Sequence, residues 1–428
     1  MTNNEPHLLA FFSELDDILK QPCNENNIQR VVDQSVDCAV AAHDQFLQLP
    51  HELAECCYHF LDSPLCLHHK ELMMKQISQR ALESENSREL WVMYHILIHA
   101  GLEDPQVFRW MKAQGYLSRL HYQALNLQET RLQLPVIQLL YEVCRVHRLT
   151  RSELEMMNQH FIVYLLEIVE HTRNDEMEEL NFSVTKLLLA LNEQYMLFQA
   201  SSVASENEDE EEEINPILDV LAARPGRYKT FSESLVFLLN RASGEDPSLQ
   251  VLILKLLYLL FTTPDTYDYF YTNDLHVLVD VVIRALHDLS AEAENLRSTY
   301  LRVLGPLLAN TPLRNLSYKR EEIRRLLDDL VSPGKNYGGI VSATTQRLVE
   351  RVRNALDVSG RRISPSGSMV GLAEASRKVL VRRTTSTHLS VPKVVLLPSD
   401  TSAKDEGAGA ASELGGSDNG RYSNSLVV

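Results

Sequence analysis

Only eight of the sixteen glycines precede Ser359, although that stretch makes up most of a 428-residue chain. Glycine supplies the left-handed turns and bulges of turn-rich β folds, so the bulk of this sequence has little material for one. Its apolar residues recur at three and four, as Leu8, Phe11, Leu15 and Ile18, and again as Leu90, Met93 and Leu97. That period marks helices that bury one face. Breaks fall at Pro50, Ser63-Pro64, Asp104-Pro105, Thr263-Pro264 and Thr311-Pro312. Proline lacks the helical N–H and pushes the preceding residue out of the α region. The intervening segments are about 10 to 20 residues long, as helices of globular proteins are. No run alternates in the way a sheet requires, so the expected class is all-α.

An internal match suggests how these helices stack. Residues Val136 to Cys144 align without a gap on Ile253 to Phe261 when Tyr141 is set against Tyr258, an offset of 258 − 141 = 117. Leu187 to Asn192 and Leu304 to Asn310 repeat at nearly the same offset. The offset is close to three armadillo-type units of roughly 40 residues. The expected architecture is an armadillo/HEAT-like helical solenoid, which buries its core between neighbours and presents a long surface to a partner.

Two segments depart from the pattern. Glu206 to Glu213 holds seven acids in eight positions, which repel one another, so a solvated acidic loop is expected over residues 201–214. From residue 358 the chain turns rich in Gly, Ser and Thr, lacks the apolar density to offset ordering entropy, and is expected to be a disordered tail. The implied divisions are helical repeats over 1–131, a leucine-rich domain over 132–357 and the tail over 358–428.

Charge and composition narrow the functions. Lys and Arg number 41 against 58 Asp and Glu, a net charge of −17, which disfavours nucleic acid as a partner. The first twenty residues carry Glu5, Glu14, Asp16 and Asp17 where a secretory signal would be basic and apolar. The most apolar run, Val251 to Phe261, contains Lys255 and is too short for a bilayer, so no membrane insertion is expected. Six sparse cysteines in helical patterns read as reduced thiols of a soluble, cytoplasmic protein.

Little in the sequence suggests catalysis. Cys56, Cys57, His59, Cys66, His68 and His69 are the densest potential metal ligands. Adjacent cysteines on a helix point about 100° apart, however, and cannot both face one zinc ion, so core thiols beside surface histidines are expected. His51-Glu52 lacks the second histidine of a zinc protease, and Gly367-Ser-Met-Val-Gly371 lies in the tail rather than on a strand-to-helix turn. Neither an enzyme nor a cofactor is expected.

Basic residues gather late in the helical region, at Lys319, Arg320, Arg324 and Arg325 and again at Arg347, Arg351 and Arg353. The first four could line a positive stripe that docks an acidic partner helix, although a solvated helix face fits the same spacing. In the tail, Arg361-Arg362-Ile363-Ser364 and Arg382-Arg383-Thr384-Thr385 have the spacing of basophilic kinase sites, which makes Ser364 and Thr385 candidates for phosphorylation.

A more specific signal lies between Leu254 and Thr311. Leu256-Leu-Tyr-Leu-Leu-Phe-Thr-Thr-Pro264, Phe270-Tyr-Thr-Asn-Asp-Leu275 with Val277 to Asp280, and Leu296-Arg-Ser-Thr-Tyr-Leu-Arg-Val-Leu304 stand in succession. Together they resemble the leucine-rich domain of the WISH/DIP/SPIN family, and Phe237 to Arg241 and Leu187 to Gln194 fit the same domain. The resemblance is to the fungal members, which are essentially this domain alone; the Src-homology-three domain and proline-rich stretch of animal members are missing from the sequence. It implies an armadillo-like, non-enzymatic activator of the actin-related protein 2/3 complex, working without a preformed filament. Linear filaments made in this way would seed branched actin at endocytic patches of the cell cortex, so actin itself is an indirect partner. Phe270, Tyr271, Asn273, Asp274, Arg297 and Tyr300 match the family pattern, with Asn273 or Asp274 also suited to cap a helix. Pro365, Pro392 and Pro398 form no P-x-x-P spacing, which leaves docking to Src-homology-three domains without its motif. The rival reading, a generic armadillo adaptor for peptides or endocytic cargo, predicts ladders of Asn and Trp, whereas only Trp91 and Trp110 are present.

Overall fold

The structure is a computed structural model describing residues 5–22, 27–126, 130–173, 177–202, 215–224, 226–242, 246–290, 292–332 and 341–360. The tail with Ser364 and Thr385, and nearly all of the acidic loop, lie outside the described residues. Every described residue falls within one compact unit spanning 1–362. The described residues form eighteen α-helices and no strand. They are α1 (Glu5–Leu19), α2 (Ile28–Phe46), α3 (Pro50–Leu61), α4 (Pro64–Glu83), α5 (Ser87–Glu103), α6 (Gln106–Ala113), α7 (Tyr116–Asn126), α8 (Thr130–Val146) and α9 (Arg151–Met156). There follow α10 (Gln159–His171), α11 (Glu178–Ser202), α12 (Pro216–Ala223), α13 (Lys229–Ala242), α14 (Pro247–Thr262), α15 (Thr272–Asp288), α16 (Glu294–Asn310), α17 (Arg320–Val331) and α18 (Ala343–Gly360).

The prolines read as breaks mostly start helices. Pro50 and Pro64 sit in the first turns of α3 and α4, where a missing N–H costs nothing, as do Pro216 and Pro247 in α12 and α14. Caps reinforce these starts: Ser63 Oγ accepts from the Cys66 amide at 3.1 Å, and Thr150 and Glu153 form a reciprocal capping box on α9. Two glycines have specific work. Gly115 takes φ +83° in the turn between α6 and α7, and Gly101 of α5 lets the Phe108 ring of α6 lie where a Cβ would stand.

Packing sorts the later helices into two layers. One runs α8, α11, α14, α16, α18, and the other runs α10, α13, α15, α17, so that α10–α11, α13–α14, α15–α16 and α17–α18 are stacked pairs. Helix α7 joins the second layer through Tyr164 Oη, which donates to the Ala124 carbonyl at 2.5 Å, and through His121 against Phe161. This is the solenoid expected from the sequence, but with a different step. Tyr141 and Tyr258 lie on α8 and α14, two places apart in their layer, so the 117-residue offset spans two steps rather than three. The steps are longer than an armadillo unit because short extra helices, α9 and α12, lie between the pairs. Of the second repeated pair, Asn310 ends α16, whereas Asn192 is fully buried inside α11.

Buried polar side chains lock neighbouring repeats in register. Gln194 of α11 donates to the carbonyls of Cys144 and His147, both at 2.7 Å, and accepts from the Leu149 amide at 2.8 Å. Gln250 of α14 accepts from Tyr300 Oη of α16 at 2.7 Å while donating to the Ala242 carbonyl at 2.8 Å. Lys255 of α14 pairs with Glu193 of α11 at 2.7 Å, both largely shielded from water. Each such group is costly to leave unpaired once buried, so the ties favour one stacking over slipped alternatives.

Candidate functional site

The residues singled out around 270–325 do not share one role. Phe270 is buried, with its ring centroid 5.5 Å from Phe261 and edge-on to Tyr269 at 5.4 Å, so it belongs to the core. Arg297 is buried too; its guanidinium donates to Glu294 at 2.8 Å and to the Ser290 carbonyl at 2.5 Å. Tyr300 is fully buried on Gln250, and burial pushes its phenol pKa up. Phe270 and Tyr300 fasten the entry to α15 and helix α16 onto α14, and Arg297 fastens the α15–α16 connection to α16.

Tyr271, Asn273 and Asp274 stand at the start of α15. The capping expected of Asn273 or Asp274 does not form, because the helix begins at Thr272 and Tyr271 occupies the cap position without a side-chain hydrogen bond. Asn273 and Asp274 instead fall in the first turn, where a carboxylate still favours the positive end of the helix dipole. Tyr271 is 54% exposed, and Lys229 Nζ lies 4.6 Å above its ring. Lys229 also donates to the Tyr269 carbonyl. Burial lowers the Lys229 pKa against the pull of Asp274 and Asp268, and burial raises that of Asp274 against Lys229 and Arg173. Asp274 Oδ2 is buried without a hydrogen-bond partner.

The basic quartet is not a stripe of free charge. Arg320 turns onto main-chain carbonyls, donating to Leu316 at 2.8 Å, Arg314 at 2.9 Å and Leu356 at 3.1 Å. Lys319 pairs with Asp280 at 3.1 Å and Glu322 at 3.4 Å, and Arg324 pairs with Glu321 and, at 3.5 Å, with Asp357. Arg325 is the one of the four that is exposed with no acidic partner among the described residues. Hydrogen-bond demand at helix ends, which helical spacing does not reveal, decides which way each chain turns. Asp280 is a small hub, since Tyr318 Oη also reaches both its oxygens at 3.1 Å, with the Tyr318 ring stacked on His276 at 3.9 Å.

The cysteine and histidine cluster disperses. Cys56, Cys57 and Cys66 are buried, and burial pushes the Cys56 thiol up to about 12, the Cys66 thiol up to about 11 and the Cys57 thiol well above its usual value. Such thiols are poor nucleophiles. His59 hydrogen-bonds Asp16 at 2.6 Å and stacks on Phe12, while His68 is engaged with the Pro64 carbonyl at 2.7 Å. Beside His59 a cleft of about 480 Å³ opens between α1 and α3, lined by Asp16, Lys20, His51, Glu55 and Tyr58 among others.

A surface that sequence reading passed over lies on α11, α13 and α15. Phe237 of α13 is 45% exposed and stacks on Phe182 of α11, ring centroids 5.1 Å apart. Val277 of α15 is 51% exposed. Two ties set α13 beside α15: Arg173 binds Glu233 at 2.7 Å and also acts on Asp274, and Arg284 donates to Asn240. Glu233, Phe237 and Asn240 form one stripe of α13, while Asp274, Val277 and Arg284 form the facing stripe of α15. Phe237 and Val277 are the exposed apolar members of these two stripes. The available signal was the exposed position of Phe237 on the helical wheel, hidden among the core leucines around it.

The family match falls on the same helices. The family model described as "SPIN90/Ldb17, leucine-rich domain" matches residues 177–323, from α11 into α17. Protein dip1 of Schizosaccharomyces pombe is 31% identical over 313 residues, covering 71% of this chain and 81% of that protein. Protein LDB17 of Saccharomyces cerevisiae is 37% identical over 199 residues, 46% of this chain and 38% of its own. Protein LDB17 of Eremothecium gossypii is 30% identical over 278 residues, 63% of this chain and 57% of its own.

Proposed function

The chain belongs to the SPIN90/Ldb17 family of leucine-rich-domain proteins, and from that membership we propose that it is a non-enzymatic activator of the actin-related protein 2/3 complex. It acts without a preformed filament, so that linear filaments arise first and seed branched actin at endocytic patches of the cytoplasmic cortex. The observation that carries this reading is the run of family motifs from Leu254 to Thr311, seated on α14, α15 and α16 of one continuous stack. A body whose repeats are tied by Gln250–Tyr300 and Lys255–Glu193 can hold partner subunits in one relative arrangement. Such a body favours the active state of a partner by binding that state more tightly than the inactive one. The raised thiol pKa values described above fit a role that asks no chemistry of this chain. Among the described residues no helix is long and apolar enough to cross a membrane.

The test is a fluorescent actin polymerisation assay with the purified complex and this protein, lacking preformed filaments and any other activator. A shortened lag and more numerous filaments are expected. An unchanged lag at saturating protein would sink the reading.

A further inference from the structure

We propose that Ser332, the residue that caps the end of α17, is a phosphorylation site for a proline-directed kinase, and that its phosphate loosens the last turn of α17 against α18. Kinases of this class take a Ser or Thr followed by proline and favour a basic residue two places after that proline. Five such residues precede a proline in this chain: Ser63, Thr263, Thr311, Ser332 and Ser364. Only Thr311-Pro-Leu-Arg314 and Ser332-Pro-Gly-Lys335 also carry the basic residue.

The fold separates these two. Thr311 is 2% exposed, and its hydroxyl donates to the Leu307 carbonyl at 2.5 Å and accepts from the Leu313 amide at 3.3 Å. The chain after it winds at once into a 3-10 turn over Pro312–Asn315, so a kinase cannot lay those residues along its cleft. Ser332 instead stands partly exposed just beyond the helix, with φ −77° and ψ 122°. A following proline favours that extended backbone, which is the form a kinase cleft holds. The Ser332 hydroxyl donates to the Asp328 carbonyl at 2.6 Å on the exposed side of the helix end. In the transfer, Ser332 Oγ bonds to the γ-phosphorus of ATP as the bond from that phosphorus to the ADP oxygen breaks, and the hydroxyl proton passes to the catalytic aspartate of the kinase.

On its own helix the phosphate meets unfavourable neighbours. It carries a charge of about −1.5 to −2 near pH 7 and stands at the negative end of the helix dipole. Asp328 and Asp329 lie within one turn of it, and the Asp328 carbonyl loses the hydroxyl donor. Arg353 of α18 binds Asp328 at 2.6 Å and approaches Glu350 at 3.8 Å. The phosphate competes for this one guanidinium, so three anions divide a single cation and the Asp328–Arg353 tie between α17 and α18 weakens. The bond from Arg320 to the Leu356 carbonyl, at the other end of α17, is left as it is.

The test incubates the full chain with a purified cyclin-dependent kinase and ATP and maps the peptides by mass spectrometry. Phosphate is expected on Ser332 of the folded chain and not on Thr311, whereas heat-unfolded chain should accept it on both. Ser332→Ala should lose the Ser332 phosphopeptide alone. Ser332 left unmodified in the folded chain, or Thr311 modified as readily, overturns the site. Amide hydrogen exchange is then compared for the kinase-treated parent, the same material after phosphatase, and kinase-treated Ser332→Ala, which retains any phosphate placed elsewhere. Exchange over residues 328–332 should be at least about fivefold faster in the phosphorylated parent than after phosphatase, with Ser332→Ala unaffected by the kinase. Equal exchange in that turn overturns the loosening. Neither readout involves the actin-related protein 2/3 complex, so either result leaves the functional reading above as it stands.

Discussion

The guanidinium of Arg320, at the first turn of α17, donates to the carbonyl of Leu356 near the end of α18, at 3.1 Å. With its bonds to the Leu316 and Arg314 carbonyls, in the turn before α17, it fastens that turn and α17 to α18. A residue that composition marks as part of a binding stripe is thus a clasp, while its neighbour Arg325 faces solvent.

Arg320→Ala should destabilise the chain by about 1–3 kcal/mol, as expected for charged hydrogen bonds to main-chain carbonyls. Arg325→Ala should stay within about 0.5 kcal/mol of the parent, as surface changes usually do. Chemical unfolding of the two variants distinguishes them, and equal losses would refute the clasp.

Lys319 is the only non-glycine residue with positive φ among the described residues, at +48°. Lys319→Gly relieves a left-handed backbone cost of about 1–2 kcal/mol and loses an exposed ion pair to Asp280 worth about 0–1 kcal/mol. Lys319→Ala loses the pair without the relief. The glycine variant should therefore be the more stable of the two by urea midpoint, and the reverse order would show that the left-handed conformation costs nothing here.

Gly101→Ala tests packing against propensity. Alanine gains about 1 kcal/mol of helix propensity over glycine, yet its methyl would fall on the Phe108 ring inside a buried junction of α5 and α6. Overpacking of that kind costs about 1–3 kcal/mol, so a net loss of stability is expected. Restoration by the second change Phe108→Leu would identify the clash as its cause.

Tyr300→Phe removes the hydroxyl that donates to Gln250 Oε1 and leaves that oxygen buried and unpaired. The expected loss is about 1–3 kcal/mol. Because Gln250 also holds the Ala242 carbonyl, hydrogen exchange should quicken at the end of α13 as well as in α16. Exchange that changes in α16 alone would show that the repeats are not coupled through Gln250.

His95 on α5 is held neutral by burial, which lowers its pKa to about 4, with His99 and His43 adding repulsion and the Trp91 carbonyl opposing. The unfolded chain then takes up this proton first as pH falls. Stability is complete above about pH 6.5 and declines toward pH 4, by at most about 3 kcal/mol for this group. His95→Leu should flatten the fall in unfolding free energy between pH 7 and 5. A variant with the parent's pH dependence would assign the effect to other groups.

The local order of this protein is written in the chain. Leucines at three and four, prolines at the breaks between them, and the scarcity of glycine before Ser359 dictate helices and where they start, because period and breakers are properties of neighbours in sequence. The family motifs located α14 to α16 for the same reason. The tertiary structure decided what sequence spacing leaves open: that 117 residues make two steps, that Arg320 turns inward while Arg325 does not, and that Phe237 meets Phe182 at the surface. Each depends on groups from different helices competing for the same carbonyl, carboxylate or patch of solvent. Such competition is settled only when the layers pack and every buried donor has to find its acceptor.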